Sequence, residues 1–348
     1  MVAALLLAGW TWVLPAGFPL PHVTPDNRMS EAKFELGRHL FHDPRLSANG
    51  TQSCASCHQQ SRAFTDGRPK AIGSTGQVHS RNAMTLTNVA YNVSFTWDDP
   101  RVRSLERQAR VPLFNEHPIE MGMKGREREI LARLRADVRY RTMFREAFPG
   151  ERRPIGVANV VRAIATFERA LVSGRSPWDR AAFDGEHDAL SPEAWRGVEI
   201  FFSERAGCAS CHAGFNFSGP VRHVGSVRAL PELVSNGVTP GRFRVPTLRN
   251  VELTAPYMHD GSLAALEDVI ARYDDARGLG LDAAARADLA AFLRSLTDRA
   301  FVGDPRLSDP WQEPSGGDPP GRTIPPSPAS PSSAAGDVPD PLADPSGA

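Results

Sequence analysis

The string Cys54-Ala55-Ser56-Cys57-His58 recurs as Cys208-Ala209-Ser210-Cys211-His212, and the two copies use all four cysteines of a 348-residue chain. At this composition a C-x-x-C-H string arises by chance about 10⁻³ times per chain, and its chemical meaning is attachment of a c-type haem. The two thiols of each motif add to the porphyrin vinyl groups, and the adjoining imidazole is carried beneath the iron. Cys54, Cys57, Cys208 and Cys211 are therefore the expected thioether carriers, and His58 and His212 the expected proximal ligands. Zinc and disulfides are the other uses of paired cysteines. A zinc site built from both pairs leaves the two histidines idle and lies far from ribbon spacing.

With 41% hydrophobic residues the chain can bury a sizeable core, and its length suggests two domains with one haem each. Zero formal charge and a pI of about 7.2 give no reason to expect nucleic acid or an anionic membrane as partner. No apolar run reaches the 18 residues of a membrane span. Haem c is attached outside the bacterial cytoplasm, so the motif predicts a periplasmic protein. Residues 1–17, MVAALLLAGWTWVLPAG, have the apolar length of a signal h-region but lack its basic flank. That leaves a misassigned start, a trimmed signal remnant, or an ordinary packed N-terminus.

A duplication runs along the chain. Gly37-Arg38-His39-Leu40-Phe41 and Gly197-Val198-Glu199-Ile200-Phe201 share a Gly-x-x-[Leu/Ile]-Phe core shortly before each cysteine motif. Each unit reads as a helix followed by a haem loop. The first helix, in MSEAKFELGRHLF, follows a cap region at Asp26-Asn27; the second opens with Ser191 as N-cap and Pro192 at the first helical position. Further helices are expected in EREILARLRADVRYRTMFREAF, in IGVANVVRAIATFERALVSG and where Leu289, Phe292, Leu293 and Leu296 share one face. Strand alternation is scarce. The expected fold is mainly α: two cytochrome c-like haem domains facing each other across an interface, at 18–175 and 176–300, with long loops. SGRSPWDRAAFDGEHDALSP marks the boundary, and 301–348, rich in proline and acid, reads as a disordered tail.

The motifs LPAGFPLP, ELGRHLFHDPRLSANGTQSCASCH, AFTDGR, HSRNAMTLTNVAYN, TWDDPRVRSLERQARVPLFNEHPIEMGM, FERALVSGRSPWDR, FFSERAGCASCHAGFNFS and GRFRVPTLRNVELTAPYMHDGSLAALEDVIARY resemble the bacterial di-haem cytochrome c peroxidase family. Within it the chain is most similar to the branch of MauG and the methanobactin-associated MbnH enzymes. The resemblance implies two haem c groups across a domain interface, a calcium ion between them and hydrogen peroxide as oxidant. Peroxidases of the family place a methionine 14 residues beyond the histidine of PYxHDG, whereas MauG-type enzymes place a tyrosine. Here that position is Tyr273, with Met258 and His259 as rival ligands of the second iron. A phenolate oxygen is a harder, anionic donor than a thioether and favours ferric iron.

At the first haem the resemblance points to Gln108, Pro112 and Glu120 as distal residues, the carboxyl carrying the peroxide's proton. Glu120 stands 12 residues after Gln108 where the family has about 10, which keeps Glu116 as an alternative. His79 lies in the loop from which peroxidase relatives block the resting first haem; here it is expected not to. Trp97 matches the tryptophan between the haems, and Asn82 with the carbonyls of Thr254 and Pro256 matches the calcium site, Asn88 being close by. The loop between Pro220 and Asn250 is shorter than in the relatives. The resemblance thus implies a peroxide-dependent enzyme that oxidises tryptophan in a periplasmic partner protein. An ordinary peroxidase fed by a small cytochrome or copper protein is the second expectation, and a non-catalytic electron carrier the third.

Overall fold

The computed structural model describes residues 3–7, 9–218, 226–228 and 242–312. Most of the short loop before Asn250, and the tail beyond residue 312, lie outside them. The chain opens with an antiparallel hairpin, β1 (Ala3–Leu7) and β2 (Trp10–Leu14). Trp10, Trp12 and Leu14 are buried and Thr11 and Val13 exposed, the alternation of a half-buried strand. Trp10 packs on Phe34 with ring centroids 5.4 Å apart.

α1 (Glu31–His42) starts at Ser30, whose hydroxyl accepts from the amide of Lys33, and not at Asp26-Asn27. Asn27 is instead buried and donates to Glu106 and to the carbonyl of Arg162. The first cysteine motif forms a single turn, α2 (Cys54–Cys57), followed by α3 (Leu105–Gln108) and α4 (Arg110–Phe114). The stretch expected as one helical run divides into α5 (Glu127–Ala136) and α6 (Val138–Ala147), because Asp137 is extended and caps the second helix by accepting from the amide of Arg139. α7 (Val157–Arg169) crosses α1 at Gly37, where a Cβ would sit 2.0 Å from the carbonyl oxygen of Ala163. Only glycine allows that approach. One turn on, Phe41 meets Phe167 at 5.0 Å.

The boundary segment is itself structured. It holds α8 (Pro177–Phe183), whose Asp179 forms a two-pronged buried ion pair with Arg249 at 2.8 and 2.9 Å. α9 (Pro192–Phe202) begins as expected, with Ser191 capping and Pro192 first. A short pair, β3 (Ser226–Arg228) and β4 (Arg242–Arg244), precedes α10 (Leu266–Arg277) and α11 (Ala283–Arg294). α11 crosses α9 at Gly197, where a Cβ would lie 2.1 Å from the carbonyl of Asp288, and Phe201 meets Phe292 at 5.1 Å. Leu289, Phe292, Leu293 and Leu296 are all buried there. The two crossings therefore repeat one geometry around two separate hydrophobic cores.

The chain stays folded past the expected start of the tail. α12 (Arg299–Val302) and a turn at Pro305–Leu307 put Phe301 and Leu307 into the first core. Trp311 packs edge-on against His39 at 5.1 Å and donates to that residue's carbonyl. These three apolar anchors are diluted in a composition averaged over 301–348. Between the cores runs a buried polar seam: Asn88 bonds Ser173 and Asn216, while Asn250 bonds Ser173 and accepts from the amide of Asp298. Each member is satisfied by others, which fixes one arrangement of the halves.

Candidate active site

Each cysteine motif ends in a buried imidazole held the same way. Nδ1 of His58 donates to the carbonyl of Phe64 at 2.9 Å, and Nδ1 of His212 to that of Phe217 at 2.9 Å. Both phenylalanines take left-handed backbone conformations, φ 62° and 48°, which turn their carbonyls back onto the rings. A proton fixed on Nδ1 leaves the Nε2 lone pair for a metal. Burial lowers the pKa of both histidines and keeps them neutral. The four cysteines form no disulfide, and before haem attachment burial raises the Cys54, Cys57 and Cys208 thiols above the usual range, Cys57 to about 11. The pairs belong to different helix crossings, and among the described residues no cluster of three His, Cys, Asp or Glu could hold a metal ion. That donor arrangement does not fit a shared zinc; thiols beside a histidine with a free Nε2 fit two haem c groups.

Near the first motif stands Glu120, whose charge acts on Cys54 and Cys57. Its loop is docked by the amide of Met121, which donates to the carbonyl of Pro112 at 2.9 Å, and by the amide of Ser74, which donates to the carbonyl of Glu120 at 2.7 Å. Pro112 and Glu120 thus come together, one helical turn beyond the half-buried Gln108 on α3. Burial pushes the Glu120 carboxyl up to about 7, and its charge is felt by the thiols of Cys54 and Cys57. Glu116 is exposed and pairs with Lys124. His79 is half-buried, with Nε2 lacking a hydrogen-bond partner.

The second motif faces a phenol. Tyr273, on α10, is raised in pKa by burial and, to a smaller degree, by the nearby charges of Cys211 and Cys208. His259 belongs elsewhere: it stacks on Phe243 at 4.3 Å, its carbonyl accepts from the amide of Asn82, and its electrostatic neighbours are Asp260, Arg81 and Asp98. Met258 is half-buried in the same loop.

Trp97 is pinned where the halves meet. Its indole N–H donates to the carbonyl of Asn82 at 2.9 Å, and its own carbonyl accepts from the amide of Arg244 at 2.8 Å. Asn82 in turn donates Nδ2 to the carbonyl of Arg68, which leaves Oδ1 as an acceptor, and its backbone amide donates to the carbonyl of His259, three residues beyond Pro256. Asn88 has no such freedom, since its whole amide is spent in the polar seam.

Residues 31–188 match the family of di-haem cytochrome c peroxidases. The methylamine utilization protein MauG of Methylorubrum extorquens is 35% identical over 84% of this chain and 85% of its own. The chain belongs to the di-haem cytochrome c peroxidase family. The cytochrome c peroxidase Ccp of Escherichia coli is 36% identical over 80% of this chain and 60% of its own. A crystal structure of a MauG-like protein associated with microbial copper homeostasis superposes with a TM-score of 0.81 at 40% identity, covering 87% of this chain and all of that one.

As a di-haem peroxidase the protein is an oxidoreductase acting with hydrogen peroxide, and it carries two covalently bound haem c groups on Cys54/Cys57 and Cys208/Cys211. No helix among the described residues is long and apolar enough to cross a membrane. Sequence reasoning missed two buried ionisable side chains of this di-haem centre. Glu168 on α7 lies near Cys54, with Oε2 unbonded and its pKa raised by burial to about 8. Arg244 on β4 is buried with Nε unbonded. In the stretch GRFRVP the sequence does not distinguish Arg244 from Arg242.

Proposed function

We propose that this di-haem enzyme is MauG-like: it draws two oxidising equivalents from hydrogen peroxide at the first haem and uses them, through the haem pair, to oxidise tryptophan side chains of a periplasmic partner protein. Tyr273 carries this reading, because a phenol beside Cys208 and Cys211 stands where peroxidases of the family use methionine. If Tyr273 held the second iron, its phenolate would favour the ferric state, and that haem would not need to be reduced before peroxide arrives. The haems supply iron that accepts peroxide and exchanges electrons.

The chain's own residues supply the rest. With Nδ1 held by a backbone carbonyl, His58 and His212 would hold the haem irons through Nε2. Glu120, with a pKa near 7, takes a proton from peroxide at its carboxylate oxygen and returns it to the departing oxygen, at a pH where both of its forms are populated. Gln108 and Pro112 bound that pocket, the amide orienting and the ring excluding water. Trp97 offers an oxidisable indole between the halves. Oδ1 of Asn82 with the carbonyls of Thr254 and Pro256 makes an oxygen-only donor set suited to calcium, which would tie the two loops together.

The 36% identity to Escherichia coli Ccp favours a second reading, a peroxidase fed by a small cytochrome or copper protein. Mixing the fully ferric enzyme with peroxide in a stopped-flow spectrometer separates the two. The MauG-like reading expects immediate spectral change at both haems without reductant. An enzyme inert until one electron is added would establish the second reading instead.

A further inference from the structure

Among the described residues three arginines are buried, and two of them are paired. Arg249 grips Asp179, and Arg169 reaches Glu106 at 2.7 Å. Arg244 is buried to 6% exposure with no carboxylate in range among the described residues. Its guanidinium has only the amide oxygen of Asn92 at 3.3 Å and the sulfur of Met84 at 3.4 Å, while Nε bonds nothing. A buried guanidinium offers five N–H donors and a full charge, and thioether sulfur is a poor acceptor, so the site as it stands lacks an anion.

The position says which anion. The backbone of Met84, whose sulfur Arg244 touches, lies in hydrogen-bonding reach of His58. The backbone of Pro246, two residues along from Arg244, lies in the same reach of His212. The Arg244 amide also holds the Trp97 carbonyl. The guanidinium therefore stands between the loops that flank both proximal histidines. Haem brings its own carboxylates, the two propionates, and a planar guanidinium matches a carboxylate through two parallel hydrogen bonds.

We infer that Arg244 is the counter-ion of a haem propionate at the junction of the two halves, setting the potential of that haem while its backbone holds Trp97 in place. This rests on the two attached haems and not on the identity of the second iron's sixth ligand. Arg244 is a positioning and tuning residue, not one that touches the reacting atoms.

The test is a spectroelectrochemical titration of the full-length, di-haem enzyme at pH 8 beside Arg244→Gln and Arg244→Lys, with covalent haem counted in each. Removing the positive charge should shift the balance of at least one haem toward ferric by tenfold or more, about 59 mV. Lys, which keeps the charge, should stay within about threefold of the wild type. Equal shifts in Gln and Lys, or none in Gln with both haems attached, would overturn the assignment. So would a wild-type potential that follows chloride concentration, since the site would then hold a free anion. If the Gln variant fails to assemble, the propionate-bending band in the resonance Raman spectrum of the Lys variant decides: it should move as a two-pronged pair becomes a single contact, and an unmoved band refutes the pairing.

Discussion

The two haem-bearing halves share a floor and differ in their ceilings. Below each haem the architecture is repeated: a glycine lets two helices touch, a phenylalanine pair locks the crossing, and a left-handed phenylalanine turns its carbonyl onto the proximal histidine. Above, the first half presents Glu120, a carboxyl whose proton is exchangeable near neutrality, and the second presents the Tyr273 phenol. A duplicated scaffold thus carries both motifs, and a buried carboxyl in one half against a phenol in the other sets the two apart.

Deleting one floor at a time gives the largest effect. Cys54→Ala with Cys57→Ala, and Cys208→Ala with Cys211→Ala, should each remove half of the haem stain on a denaturing gel. Peroxide reactivity should vanish in the first variant and persist in part in the second. Equal loss in both would mean that the halves do not divide the labour. Loss of no haem stain in either, with zinc found by metal analysis, would overturn haem attachment itself.

The floor was legible in the sequence because covalent and axial bonds impose strict spacing, and because Gly37/Phe41 and Gly197/Phe201 repeat it. The ceilings were legible only through resemblance. Two extra residues before Glu120 leave Glu116 open on spacing; the structure adds only that burial raises the Glu120 carboxyl while Glu116 is exposed and paired with Lys124. What stayed hidden was long-range. Trp311 looks like a stray aromatic in a proline-rich tail until His39 and Tyr140 are seen beside it. Asp179 reads as a linker acid until Arg249, 70 residues later, reaches it. Local pattern does not encode such partners.

Glu120→Gln sharpens the difference between the ceilings. Peroxide should react more slowly by about 10² to 10⁴, the usual worth of general acid–base assistance, with the second haem's ferric spectrum unchanged. The wild-type rate should also show an apparent pKa near 7 that the variant lacks. Stability should move oppositely. A folded pKa raised above the unfolded value of about 4.5 means the native state holds its proton longer, so stability is fully present below about 4.5 and is lost as pH rises to about 7. At pH 8 the glutamine, which cannot ionise, should stabilise the protein by at most about 3 kcal/mol. Thermal melts at pH 5 and pH 8 check this; a variant less stable than wild type at both would deny the desolvated acid.

Tyr273→Phe asks the same of the second ceiling. The low-spin ferric signal of that haem should change at low temperature, while first-haem peroxide binding stays within a few-fold of wild type. An unchanged signal would return the ligand position to Met258 or His259.

The smallest effect tests whether the floors are truly equivalent. Gly37→Ala and Gly197→Ala each push a methyl group into a backbone carbonyl, of Ala163 and of Asp288, at about 2 Å. Backbone on both sides leaves no flexible side chain to yield, so the helices must separate, at a cost of about 1–3 kcal/mol for overpacking. Phe167 and Phe292 sit equally close behind, at 2.9 and 2.8 Å from the added carbon. If the crossings do one job, the two alanines should lower the melting temperature by similar amounts, and the double variant should show the sum, since the sites lie in separate cores. Marked inequality would mean that one half folds on a template provided by the other, most plainly if the polar seam from Asn88 to Asp298 makes the second crossing's loss felt in the first.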